Sequence, residues 1–305
     1  MNNIVIKPII SKEDYLTCEE IQRGLSPLNE VGIVPAYLME LLAENGGLTL
    51  GIYVDNKLIG FNFALPAFNP EDGYYLFSDT AGIYTAYQKQ SLGFRLKQEQ
   101  YRIALERGIK KIVWTYDPLL GVNANLNIRK LGGIIRKYCV EAYNELPIST
   151  GITIPADRFY LEWLIKTERT RKRIVDLKIP QIKLRERLYF QKANETIRIL
   201  YSVTTGGIKR ALLFREISNI NLNLQGESIA VEIPYDYNEM RNEVPFLARD
   251  WRLKTREIFV RYINDLDYYI SEFFQLDEND EIRNFYLLRK KRKSSEAFKD
   301  SGSLF

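Results

Sequence analysis

The chain has 305 residues, 46% hydrophobic and 27% charged, with a formal net charge of +4, a balance that suits one large or two ordinary folded domains. It contains no histidine, which excludes a Ser-His-Asp triad, a Cys-His dyad, an imidazole base and a His-ligated zinc site. Any chemistry has to use carboxylates, tyrosines, backbone groups or an oxygen-ligated metal.

In chain order, Ile4 to Ile10 reads as a first strand, β-branched and ended by a polar turn. Ser11 then stands as an N-cap, with Glu13 and Asp14 in the first turn of a helix running to about Gly24. A second helix is expected from Pro35 to Asn45, with Leu38, Leu41 and Leu42 on its apolar face. Leu48 to Val54 and Leu58 to Leu65 read as antiparallel strands joined at Asp55-Asn56, and Tyr74 to Tyr84 as the third strand of that meander. Leu92 to Arg107 is a periodic helix, apolar at Leu92, Leu96, Tyr101, Ile103, Ala104 and Leu105, with Gly108 as its C′ residue. Lys111 to Tyr116 has the continuous apolar run of a buried parallel strand. A helix from Asn123 to Leu131 ends at Gly132-Gly133, and Ile134 to Tyr143 is a further strand. Arg158 to Ile165 fits a closing strand or a short helix, since periodicity over so short a run leaves both open.

After Ile165 the character changes. A charged segment, with the basic run Lys166–Arg173, reads as a solvated linker. Short strands follow at Ile197–Val203, Arg210–Glu216 and Ile229–Ile233, then a long helix from Tyr237 to Asn264 that Pro245 kinks or restarts. Its apolar side holds Phe246, Leu247, Trp251, Ile258, Phe259, Tyr262 and Ile263, and Tyr268–Phe274 and Arg283–Leu288 are the last strands. Arg252 and Arg256, four apart, have the spacing to grip a carboxylate or phosphate; an intramolecular ion pair with Glu239 or Glu243 is favoured over that. Cys18 and Cys139 form no metal-type spacing and read as reduced thiols. No apolar run reaches the roughly 20 residues of a membrane helix, and MNNIVIKPIISKEDY lacks the parts of a signal peptide. A cytoplasmic location is therefore expected, without membrane contact. The basic runs lack aromatic interleaving, so a nucleic-acid partner ranks last.

The turn Gln88-Lys89-Gln90-Ser91-Leu92-Gly93 enters the Leu92 helix. Small and polar residues there present free N–H groups at the positive end of the helix dipole, a site for a pyrophosphate. It resembles the acyl-CoA pyrophosphate loop of the GNAT acyltransferases, Q/R-x-x-G-x-G/A, with Ser91 in the first glycine slot. Trp114–Leu119, Asn123–Asn127, Lys130-Leu131-Gly132, Pro155–Arg158 with Trp163, and Trp251–Glu257 resemble a narrower two-part branch of that family.

The resemblance implies an α+β fold of GNAT type, a mixed central sheet flanked by helices, over 1–166. A second, smaller α+β domain over 167–290 and a basic, disordered tail over 291–305 complete the expected division. It implies acetyl-CoA or another acyl-CoA as co-substrate and direct transfer to a small-molecule or protein amine; a catalytically silent acyl-CoA sensor or scaffold is the alternative. Backbone groups of Ile83, Tyr84 and Thr85 then pair with the pantetheine arm, and Gln88, Lys89, Gln90, Ser91, Leu92, Gly93 and Phe94 hold the pyrophosphate. The resemblance makes Asp79 the first candidate base, since relatives of this branch hold a polar, titratable residue at that point of the fourth strand, and burying a charge amid Leu76, Phe77 and Ala81 without purpose is costly. Asp117 is second, although a strand-end turn is the more ordinary role for Asp117-Pro118. The tyrosine that protonates the thiolate in many GNAT enzymes falls on Ile128, which cannot donate; Tyr84, Tyr116 and Tyr138 are the alternatives. Asn123 and Asn127, one helical turn apart, either contact the cofactor's arm or substrate, or satisfy backbone near Pro118.

Overall fold

The computed structural model describes residues 4–25, 32–88, 90–147, 152–180, 190–205, 208–278 and 281–291. Lys89 and the tail from 292 on lie outside the described residues. The chain gathers into two compact units, 1–114 with 163–177, and 115–162 with 178–305. No helix among the described residues is long and apolar enough to cross a membrane.

The first unit is a mixed sheet with helices on both faces. Strands β1 (Ile4–Pro8), β2 (Leu48–Val54), β3 (Lys57–Asn69) and β4 (Gly73–Ile83) run antiparallel in that order. β5 (Lys111–Tyr116) then pairs parallel with β4. The β2–β3 turn places Asp55 and Asn56 at φ 48° and 65°, the left-handed pair that a two-residue hairpin of matching twist requires. Strand alternation sorts the two faces: Phe61 and Phe63 pack with Tyr15, Cys18, Ile21 and Met39 of helices α1 (Lys12–Leu25) and α2 (Ala36–Glu44). Asn62, between them, points the other way, toward α3 (Leu92–Glu106). Ser11 caps α1 through Asp14 N at 3.2 Å. Gly108, at φ 72°, ends α3 with Ile109 N donating to Ala104 O.

Two expectations change here. On α2, Ala36 and Met39 are the buried side chains and Leu41 is exposed, because the helix packs one position off the leucine stripe. The Lys166–Arg173 run is not a solvated linker. Thr167 caps a helix α5 (Glu168–Ile174) that buries Thr170, Arg173 and Ile174, and Glu168 and Asp176 pair with Arg171 on its exposed side.

In the second unit, the segment left open between strand and helix is strand β7 (Thr153–Leu164), antiparallel to β6 (Ile134–Pro147). The short helix α4 (Gly121–Ala124) gives way to a π-helical turn over Asn125–Lys130. β12 (Tyr268–Glu278) joins β6 at Ile270↔Ile135 and pairs along its length with β13 (Glu281–Lys290). β13 pairs in turn with β11 (Ser228–Ile233), and β11 with the short β8 (Gln191–Lys192). β9 (Asn194–Thr205) and β10 (Ile208–Ile220) form a separate hairpin. The expected long helix is two, α6 (Tyr237–Glu243) and α7 (Pro245–Phe259), with a π-helical turn over Val260–Asp265. Pro245 restarts it at the first helical position, and Phe246 is thereby exposed.

Candidate functional site

The expected site residues of the first unit lie along the second half of β4 and the start of α3. The β4–β5 ladder has two register pairs, Leu76↔Ile112 and Phe77↔Val113, although both strands continue. Ser78 and Trp114 are the first residues past the fork. On the other side of β4 the register jumps from Ala64↔Ser78 to Phe63↔Thr80, which leaves Asp79 as the unpaired residue of a β-bulge. A bulge rotates the extra side chain out of the pleat, and Asp79 is exposed, accepting from Thr80 Oγ1 at 2.8 Å. The burial expected of Asp79 is therefore corrected: the carboxylate is at the surface because the bulge turns it there.

Beyond the bulge, Tyr84 N donates to Ile59 O, and a single 3-10 turn, Thr85–Tyr87, carries the chain off the sheet. Gln88 pins this turn, its Nε2 donating to Ile83 O at 3.0 Å and its backbone N to Thr85 O. The carbonyls of Ile83 and Thr85 are thus both engaged within the turn. Ser91 follows at φ 58°, ψ 15°, in the left-handed region, where a side chain costs about 1 kcal/mol relative to glycine. Its carbonyl accepts from Phe94 N and Arg95 N, the first bonds of α3. The N–H groups of Leu92 and Gly93 precede those bonds and face outward at the positive helix end. Gln90 and Ser91 are exposed, Gly93 and Phe94 half-buried and Leu92 buried. The half-buried Tyr84 packs against the core of α1 and α2, and desolvation raises its pKa.

One constellation had no counterpart in the sequence reading. Lys97 of α3 is buried, its Nζ donating to Ser78 Oγ at 3.0 Å and Gln100 Oε1 at 2.8 Å, and it lies 4.1 Å from the Trp114 ring centre. Asn62 Nδ2 also donates to Ser78 Oγ, at 2.9 Å. Burial pushes the Lys97 amine down to about 7, while the ring face favours its cation. The available signal was a polar pair three apart, Lys97 and Gln100, inside the apolar stripe of α3.

Between pH of about 7 and 10.5 the unfolded chain holds the Lys97 proton more tightly than the folded one, so stability rises with pH across that window and the full penalty applies below it. Lys97→Met is expected to remove this penalty, on the order of 5 kcal/mol below neutrality. Urea midpoints of the two proteins at about pH 6 and about pH 9 check it, and equal pH dependence would refute it.

The remaining candidates belong to the second unit and are tied into its polar network. Arg252 Nη2 donates to both oxygens of Asp117 at 2.6 Å, and Leu119 N donates to Asp117 Oδ1 at 2.9 Å. Arg256 pairs with Asp157 at 2.8 Å and Glu141 at 3.1 Å. The two arginines thus form intramolecular ion pairs, with Asp117 and Asp157 rather than Glu239 or Glu243. Tyr116 reaches Tyr286 at 3.4 Å, and Tyr138 donates to Asp157 at 2.6 Å. Desolvation first raises both tyrosine pKa values well above their usual range. Asn127 is buried while Asn123 is half-exposed, because the helix widens to π geometry at Asn125 and shifts the phase between them. Ile128 is fully buried.

The elements from β1 through β6 run β-α-α-β-β-β-α-β-α-β, with a parallel pair that parts after two registers and a loop leading into α3. This is the order of strands and helices that the resemblance to the GNAT acyltransferases implies. The chain is similar to the ribosomal-protein-S18-alanine N-acetyltransferase of Escherichia coli at 14% identity, covering 53% of this chain and 94% of that one, with a TM-score of 0.43. A GNAT-family acetyltransferase of Streptococcus pneumoniae is similar at 16% identity, 53% and 99% coverage and a TM-score of 0.42. The Salmonella typhimurium protein yncA, solved with its cofactor acetyl-CoA, is similar at 16% identity, 54% and 96% coverage and a TM-score of 0.44. No protein-family model and no curated protein matches the sequence. Strands β8 to β13 with helices α6 and α7 add further α+β structure, rich in β-strand.

Proposed function

We propose that the chain is an acyl-CoA-dependent N-acyltransferase, moving an acyl group, acetyl first among candidates, directly from the thioester to an amine. The observation that carries this reading is the GNAT fork: β4 and β5 part after Phe77↔Val113, and β4 leads through Gln88 and Ser91 into the open N-terminus of α3. The N–H groups of Ser91, Leu92 and Gly93 are assigned to the pyrophosphate, with Gln88 and Gln90 beside them, Phe94 N being already bonded to Ser91 O, and the β4 edge from Ile83 to Thr85 is assigned to the pantetheine arm. Asp79 is assigned as the base that takes the acceptor's proton, directly or through water. The bulge supports this, because it turns a carboxylate outward just past the fork.

Asp117 is the weaker candidate, since it would have to leave Arg252 to accept a proton. The division at 166/167 into an acyl-CoA-binding part and a C-terminal part that shapes acceptor choice belongs to the same proposal, as does a cytoplasmic location. The test is thermal stability with acetyl-CoA, set beside free CoA. Ligand at about 100 times its Kd adds about 2.7 kcal/mol to the native state, a rise of several degrees. No rise at millimolar ligand would return the Gln88–Gly93 turn to a purely structural role.

A further inference from the structure

We propose that Ser78 and Lys97 form a proton relay to the departing CoA thiolate, Ser78 touching the sulfur and Lys97 supplying the proton from behind it. This rests on the acyl-CoA reading above. Ser78 is the first β4 residue past the last β4–β5 pair, Phe77↔Val113, and Trp114 is its counterpart on β5. Lys97 joins the two, 3.0 Å from Ser78 Oγ and 4.1 Å from the Trp114 ring centre. The relay therefore stands at the crotch of the fork.

The hydrogen bonding has a direction. Ser78 Oγ accepts from Lys97 Nζ and from Asn62 Nδ2, which leaves its own O–H to donate elsewhere. Nearby, Asn62 Oδ1 and Gln100 Nε2 are buried without a hydrogen-bond partner among the described residues. A cluster serving the fold alone would pair such atoms.

No carboxylate among the described residues neutralises Lys97. On α3, Glu99 and Glu106 pair with Arg102 at the surface, and Arg95 is exposed and reaches Ile4 O. On β4, Asp79 faces outward on its bulge; on β5, Lys111 pairs with Asp72; on β3, Lys57 is exposed. An amine that burial pushes down to about 7 gives its proton readily to a thiolate, whose own pKa lies near about 8.5.

The relay also supplies the proton donor that the hydrophobic Ile128 cannot be. As the acceptor nitrogen bonds to the acyl carbon, the C–S bond breaks and its electron pair goes to sulfur. The Ser78 hydroxyl proton passes to sulfur and a Lys97 ammonium proton replaces it on Ser78. The acceptor ammonium loses two protons overall. One returns Lys97 to its charged form and one leaves for solvent.

The test uses the full chain with free CoA, 13C-labelled at the carbon bearing sulfur, followed by NMR across pH in wild type, Lys97→Met and Ser78→Ala. Ammonium and thiolate stabilise one another through Ser78, so wild type is expected to show a leading thiolate fraction below pH of about 8, roughly twice that of either variant. Identical titration in all three, with CoA bound, overturns the relay and leaves the acyl-CoA reading standing. Failure of CoA to raise the wild-type melting temperature overturns both.

Discussion

Asp79→Asn is expected to lower thiol release from acetyl-CoA by about 10²–10⁴-fold while keeping the ligand-induced rise in melting temperature. The amide has the shape of the carboxylate and can still accept from Thr80 Oγ1, so the bulge between Ser78 and Thr80 persists. What it loses is the capacity to hold a proton. Because Asp79 is exposed and outside the pyrophosphate loop, binding of the CoA portion has no reason to change. Rates would be followed as free thiol with an amine from an acceptor screen. Wild-type turnover in the variant would remove Asp79 from the chemistry and return attention to Asp117.

The second large effect lies in the other unit. Arg252→Met is expected to destabilise the protein by about 3–5 kcal/mol, the usual result of stranding one member of a buried ion pair. Arg252 is 1% exposed and Asp117 12%, and both carboxylate oxygens accept from the same guanidinium nitrogen. The Arg252 plane also lies over Tyr237, 5.4 Å from the ring centre. Adding Asp117→Asn removes the stranded charge while keeping an acceptor for Leu119 N, so the double variant should lose less than the sum of the singles. Urea midpoints give all three values. A single-variant cost under about 1 kcal/mol would mean that water already screens the pair.

How far the sequence could be read depended on whether a feature was local. Strand Lys111–Tyr116 was read with its boundaries intact, because a buried parallel strand is a continuous apolar run. Gly108 marked the end of α3 because only the left-handed position there asks for glycine. The bulge at Asp79 left no trace, since Ser78, Asp79 and Thr80 are all polar and the extra residue exists only relative to β3. The same holds for the partners of Arg252 and Arg256. Their helical spacing was legible, but Asp117 and Asp157 lie about a hundred residues away in sequence, and sequence proximity favoured Glu239 and Glu243 instead. Lys97 was passed over because a lysine in an amphipathic helix ordinarily faces water.

The sequence order of the units bears on how the chain is made. The first unit is completed by residues 163–177, whose Trp163 ring lies 5.9 Å from Trp114 and whose Ile165 N donates to Lys110 O. Those residues leave the ribosome after 115–162, a stretch that belongs to the other unit and waits for 178–305. The nascent chain must therefore hold the first unit unfinished while the opening part of the second emerges, and neither unit closes in one uninterrupted pass. Such deferred pairings are slow to form and leave strand edges exposed in the interval, an interval that for the first unit closes with residues 163–177 and for the 115–162 stretch lasts until 178–305 have followed.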